Sequence, residues 1–187
     1  MLMSKSTHFD KYSNQYDEKK PKYYYTKVKQ IYSEIIPPSK KILDIGCGTG
    51  EMLSYLEPSI GVGVDVSDEM IKIVKKKYPQ FDFRIISAEN LVIESNFDYI
   101  IMVDLIEHLN SVPRMLERIY KICKSDTVVI ASWYNPLWEP IIKFADILKL
   151  KMPEGLHHLT GIKKFDYALQ TTEFNLIKYC YIKCYCL

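Results

Sequence analysis

The sequence predicts an α/β protein built on a doubly wound, mainly parallel sheet. Three observations lead there. Apolar, β-rich runs at 41–45, 59–66, 81–87, 97–103 and 126–133 alternate with helical patterns over 23–36, 51–56, 68–78 and 112–123. Strands separated by helices of about 10–15 residues imply βαβ units. A loop with glycine at 46, 48 and 50 follows the first apolar run, and a strand that feeds a glycine loop and then a helix lets the backbone come close to a small ligand. The second run ends at an acid, Asp65, at roughly the 20-residue distance from the loop that doubly wound nucleotide folds use.

Each element has a local reason. In 23–36 the residues Tyr24, Tyr25, Val28, Ile31, Tyr32, Ile35 and Ile36 share one helical face, and Pro37 and Pro38 stop the helix. Pro58 breaks the short helix 51–56. Ser67 and Asp68 offer a cap for the helix that follows, and its basic run Lys75-Lys76-Lys77 suits a solvated helix end, where positive charge complements the dipole. Helix 112–123 places Met115, Leu116, Ile119, Tyr120 and Cys123 on one face. After the fifth strand the pattern changes. Residues 135–152 read as an apolar helical insertion, and Pro153, Gly155 and the pair His157-His158 follow in a loop. A polar helix over 163–171 and a last strand over 176–186 complete the chain. Lys22, Lys27 and Lys29 around the tyrosines of the first helix fit a lid packing aromatics over a ligand better than a nucleic-acid stacking surface.

Composition narrows the classes. The 187 residues suffice for one domain with a sizeable core, and 48% of them are apolar, which excludes a disordered chain. The formal net charge of +2 gives no electrostatic reason for a nucleic-acid or membrane partner. No apolar run reaches the 18 residues of a membrane span, and residues 1–10 lack the apolar core of a signal peptide. Five cysteines form no paired framework. Cys47 sits in the glycine loop, so free thiols and a cytoplasmic location are expected. Cys180, Cys184 and Cys186 do not have a zinc spacing, so no metal is expected.

The chemistry lies in Leu43-Asp-Ile-Gly-Cys-Gly-Thr-Gly-Glu51. This is G-x-G-x-G with an acid two residues upstream. It is neither the dinucleotide fingerprint G-x-G-x-x-G nor a phosphate-binding loop, which ends in Gly-Lys-Ser/Thr. A carboxylate such as Asp65 can accept two hydrogen bonds from a vicinal diol. The stretch 43–51 resembles motif I of the class I S-adenosylmethionine-dependent methyltransferases, closest to the small-molecule branch that includes ubiquinone and menaquinone biosynthesis enzymes. Further along, Phe97-Asp98-x-Ile100 with Glu107-His108-Leu109 resembles motif IV and its following helix.

The resemblance implies S-adenosylmethionine as cofactor and a Rossmann-like methyltransferase fold. It implies cofactor contacts from Asp44, Gly46, Gly48, Gly50, Asp65, Val66, Met70, Ala88, Glu89 and Val103, with Asp65 on the ribose. Tyr12 or Tyr16, in a stretch resembling the family's N-terminal lid, would cover the sulfonium or meet the cofactor carboxylate, and Tyr16 is taken as the contact. Ser87 stands where the family usually has an aspartate for the adenine amino group, so backbone groups near Ala88 and Glu89 would serve instead. Glu107 and His108 are expected to orient the helix after the fourth strand. The family sheet has seven strands, and only one candidate follows residue 175, so the sheet is expected to lack the usual last strand.

Residues 1–187 are expected to form a single domain, with a lid and helix in 1–38, a cofactor core in 39–134 and an acceptor side in 135–187. The expected reaction is in-line methyl transfer to a small-molecule or lipid-like acceptor, to which the protein contributes mainly alignment. If the acceptor must lose a proton, His157 and His158 are the candidate bases, then His108. Two other readings remain. In one the chain is a non-catalytic S-adenosylmethionine-binding sensor or partner subunit with a truncated methyltransferase fold, which Ser87 and the short sheet suit; in the other it is a nicotinamide oxidoreductase, which the glycine spacing and the lack of a Tyr-x-x-x-Lys pair oppose. A monomer or homodimer is expected.

Overall fold

The computed structural model describes residues 10, 21–94, 96–133, 162–170, 172, 174 and 177. Among the described residues, five strands, β1 (Lys41–Ile45), β2 (Ile60–Asp65), β3 (Asp82–Ile85), β4 (Tyr99–Val103) and β5 (Val128–Ser132), form one sheet in the order β3-β2-β1-β4-β5. Every neighbouring pair is parallel. The chain moves outward from β1 through β2 to β3, then returns to place β4 on the other side of β1. The direction of winding therefore reverses between β1 and β4, and the carboxyl ends of those strands bound the crevice where open α/β sheets take ligands.

Among the described residues, five α-helices pack on this sheet: α1 (Lys22–Ile35), α2 (Glu51–Leu56), α3 (Asp68–Lys77), α4 (Val112–Tyr120) and α5 (Ile162–Gln170). Strand alternation decides which helix each side chain meets. Ile42 of β1 and Ile101 of β4 point to the side of α1, α2 and α3, where they join Val28, Tyr32, Leu53, Ile71 and Val74. Leu43, Ile45, Ile100 and Met102 point the other way and join Met115, Leu116 and Ile119 of α4 and Phe165 and Ala168 of α5. Both faces are covered, which is why the strands read as nearly continuous apolar runs.

Helix ends follow the sequence signals. Ser67 caps α3 by accepting from the Met70 backbone N–H at 3.1 Å. Ser111 caps α4, whose first turn carries Pro113. Beyond Tyr120 the backbone tightens, with Ile122 N–H donating to the Ile119 carbonyl at 3.0 Å, so α4 stops short of the expected residue 123. Strands β3, β4 and β5 are likewise shorter than the runs that announced them, although single backbone bonds persist beyond the ladders, from Ile86 N–H to the Asp65 carbonyl at 3.0 Å and from Asp98 N–H to the Lys41 carbonyl at 2.9 Å. The helix expected to be polar, α5, buries Phe165 and Ala168, and the Phe165 ring centroid lies 4.7 Å from that of Trp133. The expected insertion 135–152 lies outside the described residues, as does, Ile177 apart, the expected strand 176–186.

Helix α1 is docked by a polar bond inside an apolar seam. The Tyr32 hydroxyl donates to the Met102 carbonyl at 3.0 Å and lies 3.3 Å from Ser132 Oγ. Burial pushes its pKa well above the usual tyrosine range, so the phenol stays neutral. Tyr32→Phe should lower unfolding stability by about 0.5–1.5 kcal/mol, the net scale of one neutral hydrogen bond. Urea denaturation with an unchanged m-value will check it.

Candidate functional site

The carboxyl end of β1 runs straight into the glycine loop. Gly46 and Cys47 both donate to the Val64 carbonyl, at 2.8 and 3.0 Å, which ties the loop to the end of β2. Gly46, Gly48 and Gly50 have φ values of 77°, 48° and 74°. These are left-handed conformations that residues with a Cβ adopt at a cost. The three glycines nevertheless do different jobs. A Cβ on Gly46 would lie 2.9 Å from Leu105 Cδ1, in the turn after β4, so this glycine lets two strand-end loops approach each other. A Cβ on Gly50 would lie 2.3 Å from Val74 Cγ2 and 3.1 Å from Tyr78 Cδ2. Gly50 therefore faces helix packing in the interior.

Asp65 closes the site from β2. Its Oδ2 accepts from Gly48 N–H and its Oδ1 from Ser67 N–H, both at 2.9 Å. Burial raises its pKa, backbone hydrogen bonds from Ser67, Gly48 and Val66 oppose that rise, and the charge of Asp10 adds to it. Asp44 is buried in β1, opposite Gly63 and Ile101. The Cys47 thiol is pushed up by burial first and by Asp44 and Asp65 next, so it stays protonated and unreactive.

The other predicted residues fall around this centre in different ways. Val66 is half-buried beside Asp65, and Val103 ends β4 half-buried. Ala88 is buried in the one-turn 3₁₀ helix Ala88–Asn90 that follows β3, with Ser87 at its N-cap. Met70 is almost fully buried in α3 and belongs to the interior side of that helix. The Glu89 carboxylate is engaged elsewhere: Oε1 accepts from Asn110 N–H at 2.7 Å and Ser111 N–H at 2.6 Å, fixing the start of α4. Glu107 is buried in the 3₁₀ turn Ile106–His108. Tyr16, His157 and His158 lie outside the described residues. Free cysteines among the described residues are Cys47 and Cys123, and burial raises Cys123 to about 11. Among the described residues no group of three or more His, Cys, Asp or Glu is arranged to hold a metal ion, and no helix is long and apolar enough to cross a membrane.

One pairing was not legible in the sequence. Tyr24 of α1 donates its hydroxyl to Asp104 Oδ1 at 2.6 Å. Asp104 follows β4 at the winding reversal, and its φ of 51° is left-handed for a non-glycine residue. Its N–H donates to the Ser132 carbonyl at 2.9 Å, which holds that conformation. In sequence Tyr24 is one of several aromatics on an apolar helical face, so nothing marked it as a partner of an acid 80 positions away.

Comparison with known proteins agrees with this geometry. The methyltransferase domain family matches residues 16–179. The chain belongs to that family. A ubiquinone biosynthesis O-methyltransferase of Bartonella quintana is 32% identical over 136 residues, covering 67% of this chain and 53% of that protein. The chain spans about half the length of the ubiquinone-biosynthesis relatives it matches. Among solved structures, a S-adenosylmethionine-dependent methyltransferase of Thermotoga maritima superposes with a TM-score of 0.70 at 20% identity, over 89% of this chain and 79% of that one. The magnesium protoporphyrin IX methyltransferase of Synechocystis, with bound S-adenosylhomocysteine, gives 0.61 at 18% identity, over 82% and 72%. These superpositions establish the α/β methyltransferase fold.

The glycine loop of this methyltransferase domain yields a direct test. Gly50→Ala must adopt a left-handed φ and displace Val74. It should destabilise the protein by about 2–4 kcal/mol, combining backbone strain with overpacking. The midpoint and slope of urea unfolding measure this.

Proposed function

We propose that the chain transfers a methyl group from S-adenosylmethionine to a small-molecule or lipid-like acceptor. The observation that carries the reading is Asp65, whose carboxylate is tied by Gly48 N–H at 2.9 Å to the glycine loop, beside the β1/β4 reversal of a methyltransferase-family sheet. A carboxylate offers about four acceptor sites, so one that already holds Gly48 and Ser67 can still accept from ribose hydroxyls. Gly46 and Gly48 keep the backbone narrow next to it, where the amino-acid part of the cofactor fits, with Asp44 ordering the loop. Val66, Met70, Ala88, the backbone at Glu89, and Val103 are assigned to the surround of the nucleoside, with Gly50 contributing through helix packing. Tyr16 is assigned to the covering segment.

When bound, the cofactor supplies an electrophilic methyl on a sulfonium. The chain's own part is to align and to exclude water. The Tyr24–Asp104 bond fixes the α1 side of the crevice mouth. Segment 135–187 is assigned to the acceptor side and 39–134 to the cofactor core, within a single domain. His157 or His158 is assigned the proton of an acceptor that must lose one. The ubiquinone-biosynthesis relatives support an acceptor with an aromatic or polyprenyl part. Cys47, a buried free thiol in the loop, fits the reducing cytoplasm, and a monomer or homodimer suffices for the reaction. The second reading, cofactor binding without turnover, draws on Ser87 in place of the usual aspartate. Transfer of labelled methyl into a metabolite extract separates the two.

Asp65→Ala should weaken S-adenosylhomocysteine binding by about 1–3 kcal/mol in calorimetric titration, the scale for a hydrogen-bonded charged group. In the wild type, affinity should fall as pH drops through the raised Asp65 pKa, because the protonated carboxyl has lost acceptor capacity. The acid limb should therefore begin above the usual aspartate range. Unchanged affinity in Asp65→Ala would sink the ribose assignment.

A further inference from the structure

A second carboxylate stands behind Asp65. Asp10 Oδ1 accepts from Ser67 Oγ at 2.6 Å and from Glu69 N–H at 3.3 Å. Ser67 is thus a junction. Its N–H goes to Asp65 Oδ1 at 2.9 Å, its hydroxyl proton goes to Asp10, and its hydroxyl oxygen accepts from Met70 N–H at 3.1 Å. Ser67 is buried, so its rotamer is held by these bonds. Asp10 lies 57 positions before Ser67, and the contact joins the N-terminal part of the chain to the end of β2.

The electrostatic consequence is specific. The start of a ten-residue helix such as α3 is a ready anion site, with unpaired N–H groups and the positive end of the dipole. Here that end is filled by Asp10, and Asp68 and Glu69 add negative charge in the first turn. With Asp65 one residue pair away, the rim of the site is acidic. It offers acceptors to hydroxyl donors and repels a phosphate.

We propose that Asp10 is a positioning and selectivity residue of the cofactor site: through Ser67 it holds Asp65 for a neutral ribose diol, and by filling the start of α3 it turns away nucleosides phosphorylated on that ribose. This rests on the reading of Asp65 as the ribose ligand. It explains why a helix start beside a nucleoside site, which would suit a phosphate, is closed by the chain's own carboxylate.

The test uses the full chain as wild type, Asp10→Asn and Ser67→Ala, each shown folded by circular dichroism. S-adenosylhomocysteine affinity is measured by calorimetry, and adenosine and adenosine 2′-monophosphate are compared as competitors. Asp10→Asn should weaken S-adenosylhomocysteine about three- to tenfold, the range expected when the charge-assisted bond to Ser67 becomes a neutral one. It should also shrink the preference for adenosine over its 2′-monophosphate by about fivefold, as removal of one nearby charge implies. A purely structural role would not move that ratio. Ser67→Ala, which keeps the Asp10 charge, should weaken S-adenosylhomocysteine but leave the ratio close to wild type. If Asp10→Asn binds S-adenosylhomocysteine within twofold of wild type and the ratio is unmoved, the proposal is overturned while the cofactor reading stands. If wild type binds no S-adenosylhomocysteine, the cofactor reading fails and this proposal fails with it.

Discussion

The carboxylate at the end of β2 is the constraint on which the rest of the site depends. A carboxylate withdrawn from water is costly unless its charge is met by donors, and Asp65 is half-buried. Asp65 is met by Gly48 from one loop and Ser67 from another. The Gly48 bond adds to those of Gly46 and Cys47 with the Val64 carbonyl in holding the glycine loop, and Gly48 has a φ of 48°, a conformation that costs glycine little. Burial still raises the Asp65 pKa, so the backbone donors offset the desolvation only in part. A ligand that donates further hydrogen bonds to the carboxylate would relieve the remainder.

A second layer holds the crevice from the opposite side. Helix α1 crosses the face that carries Asp44 and Cys47, and its two buried tyrosines reach the ends of β4 and β5. Tyr24 meets Asp104, and Tyr32 meets the Met102 carbonyl and Ser132. Asp104 is held in a left-handed conformation by its own bond to Ser132 and by Tyr24. Strain of this kind costs on the order of 1–3 kcal/mol and persists where surrounding structure over-determines it. Its place at the winding reversal links α1, the strand ends and the crevice mouth into one rigid arrangement.

Most of the fold was legible because each element carried its own signal. The apolar runs marked the strands, Ser67 marked a cap, Pro37 and Pro58 marked stops, and the glycine run marked the turn between β1 and α2. What was hidden was tertiary. Gly50 looked like a ligand-facing glycine in the motif, yet its neighbour is Val74, a contact only the packing of α3 reveals. Glu89 was read through its backbone, and nothing local showed that its carboxylate fixes the start of α4. The Tyr24–Asp104 and Asp10–Ser67 bonds join residues too distant for any local pattern to connect. At the ends of β3 and β4 only single backbone bonds continue, Ile86 to Asp65 and Asp98 to Lys41, and residue pattern alone does not tell such an isolated bond from a ladder.

The central claim is that the junction of Gly48, Asp65 and Ser67 receives the nucleoside of S-adenosylmethionine. Amide chemical-shift mapping on adding S-adenosylhomocysteine tests it most directly. The Gly48 and Ser67 N–H groups, which donate to the Asp65 carboxylate, should move with the largest shifts, and the amides of β3 and α5 should stay in place. Shifts centred away from the glycine loop and the end of β2, or none at saturating ligand, would contradict the account.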